Sequence, residues 1–161
     1  MAVQLAARSG ARVTAVVGSA ERGAGLRELG AAEMVEGIKS AEGRFALILE
    51  SAGGASFAAA IEPVAPKGTV VVFGNSSGEP TILGLADFRG APNARVQSFS
   101  YYMSEPEGRF AEDLALLVAL VPDGSLRPQI GAERPWRELT TIAQHLRERQ
   151  ISGKAVLLVE P

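Results

Sequence analysis

Three short stretches of this chain carry the side chains best suited to chemistry. Phe45-Ala-Leu-Ile-Leu-Glu50 ends an apolar run on a carboxylate. Burial raises the pKa of a carboxyl group, so Glu50 is a candidate general acid or base; the alternative is that it caps the turn that follows. Tyr101 and Tyr102 close a second run, Arg95 to Tyr101. A phenol there can donate a hydrogen bond to a substrate oxygen, or can serve as an aromatic at a sheet edge. The third set is made of turns. Ser51-Ala-Gly53-Gly54 follows the Glu50 run, and Gly74-Asn75-Ser76 follows Thr69-Val-Val-Val-Phe73. In open α/β sheets ligands gather outside the carboxyl ends of the strands; the same glycines also serve tight strand-to-helix turns.

These residues need a scaffold, and the hydrophobic pattern supplies one. Residues 2–9 read as a helix stopped at Gly10, and Arg12 to Val17 as a buried strand ending at Gly18-Ser19. A helix follows over Glu21–Leu29, then a brief strand at Glu33–Val35, the strand 45–50, a helix over Ala55–Ile61 and the strand 69–73. Alternating strands and helices predict an α/β fold with a parallel sheet. Residues 79–94 read as a loop and 95–101 as a half-buried or edge strand. Phe110, Leu114, Leu117, Val118 and Val121 recur at helical spacing, which predicts a helix over 107–121, closed by Pro122-Asp-Gly124. Pro135 opens a further helix with Trp136, Leu139, Ala143 and Leu146 on one face, Trp136 as a core anchor, and Ala155 to Val159 forms the last strand.

Composition narrows the function. The 161 residues are 47% hydrophobic and 21% charged, which suits a domain with a real core, and the net charge of −2 is spread without a basic patch for nucleic acid. No apolar run reaches membrane-spanning length, and the N-terminus lacks the basic region of a secretion signal, so a cytoplasmic setting is expected. With no Cys and one His, His145, a thiolate or histidine-based metal site is not expected. His145 and Lys154 are given no chemistry.

The stretches AVQLAARSGARVTAVVGS, LRELGAAEMVE, FALILESAGG, KGTVVVFGNSSG and RERQISGKAVLLV, in this order, resemble the cofactor-binding half of the medium-chain dehydrogenase/reductase superfamily. The branch they resemble is the zinc-free quinone oxidoreductase and enoyl reductase group. The resemblance implies a Rossmann-like doubly wound sheet, incomplete because the first strand, its glycine-rich turn and the substrate domain have no counterpart here. It reads as one truncated domain, with 1–124 the remnant of the nucleotide fold and 125–161 a helix and strand that belong to the catalytic domain in full-length relatives. The first strand is central in such a sheet. Its loss leaves inner edges on strands 12–17 and 45–50, to be repaired by closure of the two strands, by insertion of the C-terminal strand, or by a partner chain. A homodimer through the strand 95–101 is the expected setting.

For the site, the resemblance implies that Ser19 and Arg22 face the 2′-phosphate of NADPH, where a guanidinium gives directed hydrogen bonds. The same two residues also suit a helix cap and a solvated cation. Ser51, Gly53, Gly74, Asn75 and Ser76 then line the ribose and nicotinamide, with Glu50, Tyr101 and Tyr102 as catalytic candidates. Without the glycine-rich turn the pyrophosphate loses its grip, so NADPH is a cofactor by ancestry. Three functions stay open: an NADPH-dependent reductase fragment not competent for hydride transfer alone, a non-redox enzyme (cyclase, isomerase or dehydratase) holding a small apolar metabolite in the former cofactor cleft, and a non-catalytic interaction subunit.

Overall fold

A computed structural model of the chain describes residues 1–100 and 110–159. The elements run α1 (Ala2–Arg8), β1 (Val13–Val17), α2 (Ala20–Gly23), β2 (Ala31–Glu36), β3 (Phe45–Glu50), α3 (Gly54–Ala60), β4 (Val64–Val72), β5 (Arg95–Ser98), α4 (Phe110–Ala119), β6 (Ile130–Pro135), α5 (Leu139–Arg147) and β7 (Lys154–Leu158). Short 3₁₀ turns cover Ile38–Ser40, Leu85–Phe88 and Trp136–Glu138. The chain divides into two compact units: Met1–Val13 with Ala24–Ala31 and Ala111–Pro161, and Thr14–Gly23 with Ala32–Phe110.

The second unit carries the turns singled out above. Its main sheet is β3-β4-β5, all parallel, with Ile48 opposite Val70 and Val70 opposite Val96. One face of this sheet is the core: Ile61, Val64, Val70 and Ala91 are sealed from solvent, and Ile48, Phe57, Val72, Phe88 and Ala94 pack around them. Alternation sends Leu47, Leu49 and Phe73 to the other face, where they are exposed. A separate two-stranded sheet joins β1 and β2, and the Thr14 hydroxyl donates to Glu33 Oε2 at 3.3 Å between them.

Among the described residues no ladder joins β1 or β2 to β3, so strand closure is not made. Insertion of the C-terminal strand is not made either, because β7 pairs in parallel with β6. The sheet therefore keeps the break that the resemblance implied.

The first unit is held by a polar clasp. The buried Gln4 side chain of α1 accepts from the Arg127 N–H at 2.8 Å and donates to the Arg127 carbonyl at 3.0 Å, copying a strand pairing with one amide. Arg127 in turn donates to the Glu28 carbonyl at 2.9 Å, and Arg8 donates to the Ser125 hydroxyl at 3.1 Å. The strands β6 and β7 approach closely at two glycines. A Cβ at Gly131 would overlap the Ser152 carbonyl, and one at Gly153 the Gln129 carbonyl. The Ser-Gly-Lys stretch before β7 thus has a steric reason for its glycine.

Helix ends follow local rules. Gly10 has φ +83°, with Gly10 N–H bonded to Ala7 O and Ala11 N–H to Ala6 O, which ends α1 as its sequence predicts. The same pair of bonds ends α5, but there Arg149 occupies the left-handed position at φ +59°.

Three sequence expectations need correction. The helix expected over 21–29 stops at Gly23, because Gly25 takes φ +79° and the chain turns. Residues 130–135 form β6, which the polar Glu133-Arg134-Pro135 concealed. Trp136 is 48% exposed and anchors no core; Ile142 is the buried residue of α5, while Leu139 and Leu146 face solvent.

Candidate functional site

The carboxyl ends of β3 and β4 carry two turns that continue the sheet ladder beyond its strands. Phe73 N–H bonds to Glu50 O at 2.9 Å, Ser76 N–H to Ser51 O at 3.0 Å, and Ser77 N–H to Ala52 O at 2.8 Å. The turns touch so closely that a Cβ at Gly53 would overlap the Asn75 side chain, and one at Gly74 would crowd the Ser51 carbonyl. Gly53 also has φ +74°, a backbone state that favours glycine on its own account. Ser51, Gly53, Gly74, Asn75 and Ser76 are therefore brought together as one paired turn.

The second turn satisfies itself. Ser77 donates its hydroxyl to Asn75 Oδ1 at 3.0 Å and accepts the Glu79 N–H at 3.2 Å, while Asn75 Nδ2 donates to the Glu79 carbonyl at 3.4 Å. Ser51, Gly74, Asn75 and Ser76 are exposed, and Gly53 is buried.

Glu50 lies beneath the first turn, buried at 5% exposure. Its carboxylate is fully engaged: Oε1 accepts from Ala52 N–H at 3.1 Å and from the Ser56 hydroxyl at 3.2 Å, and Oε2 accepts from Gly53 N–H at 2.9 Å. The two backbone donors belong to the turn that leads into α3. The geometry is that of a turn clamp, the second of the two readings its sequence position allowed.

The carboxyl end of β1 is built differently. The Ser19 hydroxyl accepts from the Arg22 N–H at 3.4 Å, which caps the short α2. The Arg22 guanidinium is exposed, and no hydrogen bond or ion pair engages it among the described residues. Neither residue bonds to the paired turn. A Cβ at Gly18 would meet nothing within 4 Å, so the backbone there borders open space. That space is a cleft of about 420 Å³ lined by Val16, Val17, Gly18, Ile38, Ala55 and Ala59, with Lys39 and Ser56 also on its wall. It falls in the lower part of the about 300–1,000 Å³ range of small-ligand sites. Lys39 and Ser56 were not singled out from sequence. The signal for Lys39 was its place just past the carboxyl end of β2, to which the strand-end rule applies equally. Ser56 carried no signal, being one small residue in an alanine-rich helix.

Tyr101 and Tyr102 lie outside the described residues. The sequence has no Cys and one His, and among the described residues no group of three or more His, Asp or Glu side chains is placed to hold a metal. Among the described residues no helix is long and apolar enough to cross a membrane.

Comparison with known proteins agrees with this architecture. Residues 1–119 match the family model described as zinc-binding dehydrogenase. No curated protein sequence matches the chain. Among solved structures, a mycobacterial quinone oxidoreductase superposes with a TM-score of 0.82 at 20% identity, over 97% of this chain and 51% of its own. The yhdH oxidoreductase from Salmonella enterica, solved in complex with NADP, gives 0.81 at 23% identity, over 99% of this chain and 50% of its own. A mycobacterial protein complexed with NADPH gives 0.79 at 20% identity, over 97% and 52%. The chain thus spans about half the length of the solved structures it resembles. With a family match over most of its residues and a parallel, Rossmann-like α/β fold, the chain belongs to the zinc-binding dehydrogenase family of the medium-chain dehydrogenase/reductase superfamily.

Proposed function

We propose that this chain is the nucleotide-binding part of an NADPH-dependent reductase of the quinone oxidoreductase type, and that it does not transfer hydride by itself. The observation that carries this reading is the open cleft beside Gly18 with Lys39 on its wall, the exposed, unengaged Arg22 guanidinium following four residues on in the chain. The cleft takes the adenosine, and Arg22 with Lys39 takes its 2′-phosphate. Ser19 is committed to the helix cap and contributes by holding α2 in place. Ser51, Gly74, Asn75 and Ser76 present the exposed rim of the paired turn to the ribose and nicotinamide. NADPH, when bound, supplies the hydride.

Two features account for the lack of independent turnover. The N–H groups of Ala52 and Gly53 in the first turn are already taken by Glu50, so a phosphate gains nothing from those two. The cleft and the turns also bring no free acid toward a substrate, since the one buried carboxylate among the described residues is spent on the backbone. That second feature removes the main support for a non-redox enzyme working through Glu50.

Titration of the chain with NADPH and NADH, followed by cofactor fluorescence, tests the reading. A charge-assisted hydrogen bond is worth about 1.5–3 kcal/mol, so Arg22→Ala should weaken NADPH binding by about 10- to 100-fold and leave NADH unchanged. Equal loss for both cofactors, or no binding of either at millimolar concentration, would end it.

A further inference from the structure

A second cleft opens along α3, wholly within the unit that carries the paired turn. Its volume of about 640 Å³ lies inside the about 300–1,000 Å³ range of small-ligand sites. The sequence on both sides leaves this space. The connection from β2 to β3 holds only the short 3₁₀ turn Ile38–Ser40. On α3, Ala55, Ala58 and Ala59 are spaced i, i+3 and i+4 on one face, and alanine side chains are too short to fill the gap. That part of the wall is apolar. Four charged side chains, Lys39, Arg44, Glu62 and Asp87, also line the cleft.

Arg44 is fixed in place. Its Nη1 donates to the Glu62 carbonyl at 2.6 Å and to the Val64 carbonyl at 3.2 Å, where α3 runs into β4. Gly90 gives the guanidinium room, since a Cβ there would stand 2.9 Å from Nη2. A guanidinium carries five N–H donors, and those on Nε and Nη2 find no acceptor among the described residues. The Glu62 carboxylate likewise takes no partner among the described residues, and Asp87 uses one oxygen, Oδ2, to accept the Gly84 N–H at 2.7 Å. Two cations and two carboxylates thus share one cleft with no ion pair among them. Their charges sum to zero, so the cleft favours neither a net anion nor a net cation.

We propose that this cleft binds a small zwitterion of the α-amino-acid class with an aliphatic side chain. The ligand carboxylate docks on the unused donors of the Arg44 guanidinium, whose planar fork suits a carboxylate. Its ammonium goes to Glu62, which Arg44 already holds by the backbone and whose carboxylate is free. The aliphatic group lies on the alanines of α3. Simpler ligands match only half of the wall. A phosphate or dicarboxylate gains Arg44 but brings no cation to Glu62 and Asp87, and an amine does the reverse. This inference stands apart from the nucleotide reading: Lys39 lines both clefts, but Arg44 and Glu62 line this one and not the cleft beside Gly18.

The test is a residue-resolved NMR titration of the full chain with leucine and with its two half-charged relatives, isocaproate, which lacks the ammonium, and isoamylamine, which lacks the carboxylate. Leucine should shift the amides of residues 39–44, 55–62 and 86–90 to saturation, and each relative should bind about tenfold more weakly or worse. Glu62 is exposed, so Glu62→Gln should keep the fold; it should weaken leucine by about tenfold and leave isocaproate unchanged. The comparison of the three ligands on the parent chain stands without that variant, and a failed NADPH titration leaves it untouched. The proposal is overturned if leucine shifts none of these amides at tens of millimolar, or if isocaproate, isoamylamine or inorganic phosphate binds as tightly as leucine. It is also overturned if Glu62→Gln binds leucine as the parent does.

Discussion

Replacing Glu50 with glutamine separates a turn clamp from a proton carrier, because it keeps size and shape and changes only what the end group can accept. The native carboxylate takes three donors: Ala52 N–H and the Ser56 hydroxyl on one oxygen, Gly53 N–H on the other. A glutamine can keep its oxygen toward Ala52 and Ser56. Its NH₂ then faces the Gly53 N–H, donor against donor. One charge-assisted bond is lost, worth about 1.5–3 kcal/mol, and a buried N–H is left without an acceptor, a further penalty of about 1–3 kcal/mol. The variant should therefore lose about 3 kcal/mol, a large share of the about 5–15 kcal/mol by which a domain is ordinarily stable. Ser56→Ala removes only one of the three donors and should cost about 1 kcal/mol. In the double variant the two costs should fail to add, since both act on one network. Urea unfolding followed by circular dichroism measures all three, with the slope against urea checked for constancy. If Glu50→Gln stays within about 0.5 kcal/mol of the parent, as an ordinary surface change would, the clamp is wrong and the carboxylate is free for other work.

Three further outcomes follow from the same geometry. Arg149→Gly should stabilise the chain by about 0.5–1 kcal/mol in urea unfolding, because a left-handed residue costs about 1–2 kcal/mol and glycine returns part of that as chain entropy. Gln4→Leu should destabilise by about 2–4 kcal/mol, since it strips both the N–H and the carbonyl of Arg127 of their partner; a loss below about 1 kcal/mol would show that water replaces the amide. The Asp123 carboxyl is held below its ordinary value of 3.8, chiefly by the Ser125 backbone N–H, then by the Ser125 side chain, with Arg8 nearby also lowering it. A lowered value means the charged form favours the fold, so this contribution is complete above pH 3.8 and is lost as the pH falls below it. Asp123→Asn should flatten that part of the acid limb of the urea midpoint against pH, and an unchanged limb would remove Asp123 from the account.

Much of the scaffold was legible because its signals are local. The runs Arg12–Val17, Phe45–Glu50 and Thr69–Phe73 are apolar enough to be strands on any reading, and Gly10 stops α1 through a backbone state that a neighbour's identity does not alter. What escaped notice depended on contacts far along the chain. β6 is a strand because β7 pairs with it, and its sequence, Ile-Gly-Ala-Glu-Arg-Pro, has no alternation to show that. Trp136 looked like an anchor by size alone. The site shows the same division. The strand-end rule found the paired turns and Gly18, whose roles come from chain direction, but it could not tell whether Glu50 points into a cleft or back at its own turn. That depends on two backbone N–H groups and one serine six residues on.

The distribution of burial connects the site to the break in the sheet. The residues sealed most completely, Ile61, Val64 and Val70, form the core where α3 leads into β4; Val64 stands opposite Phe45 at the amino ends of the strands, and Val70 opposite Ile48 nearer the paired turn. The turn itself is held by ladder bonds and by Glu50, with no described bond to β1 or β2. The cleft beside Gly18 has no such support, because one of its walls belongs to the β1–β2 sheet, which no described ladder bond ties to β3. Rigid elements position a ligand more precisely than loosely supported ones. The two halves of the proposed cofactor site should therefore differ in order: the turn that would face the nicotinamide is held by ladder bonds, and the β1–β2 wall that would face the adenosine should exchange its amides faster, which residue-resolved hydrogen exchange checks.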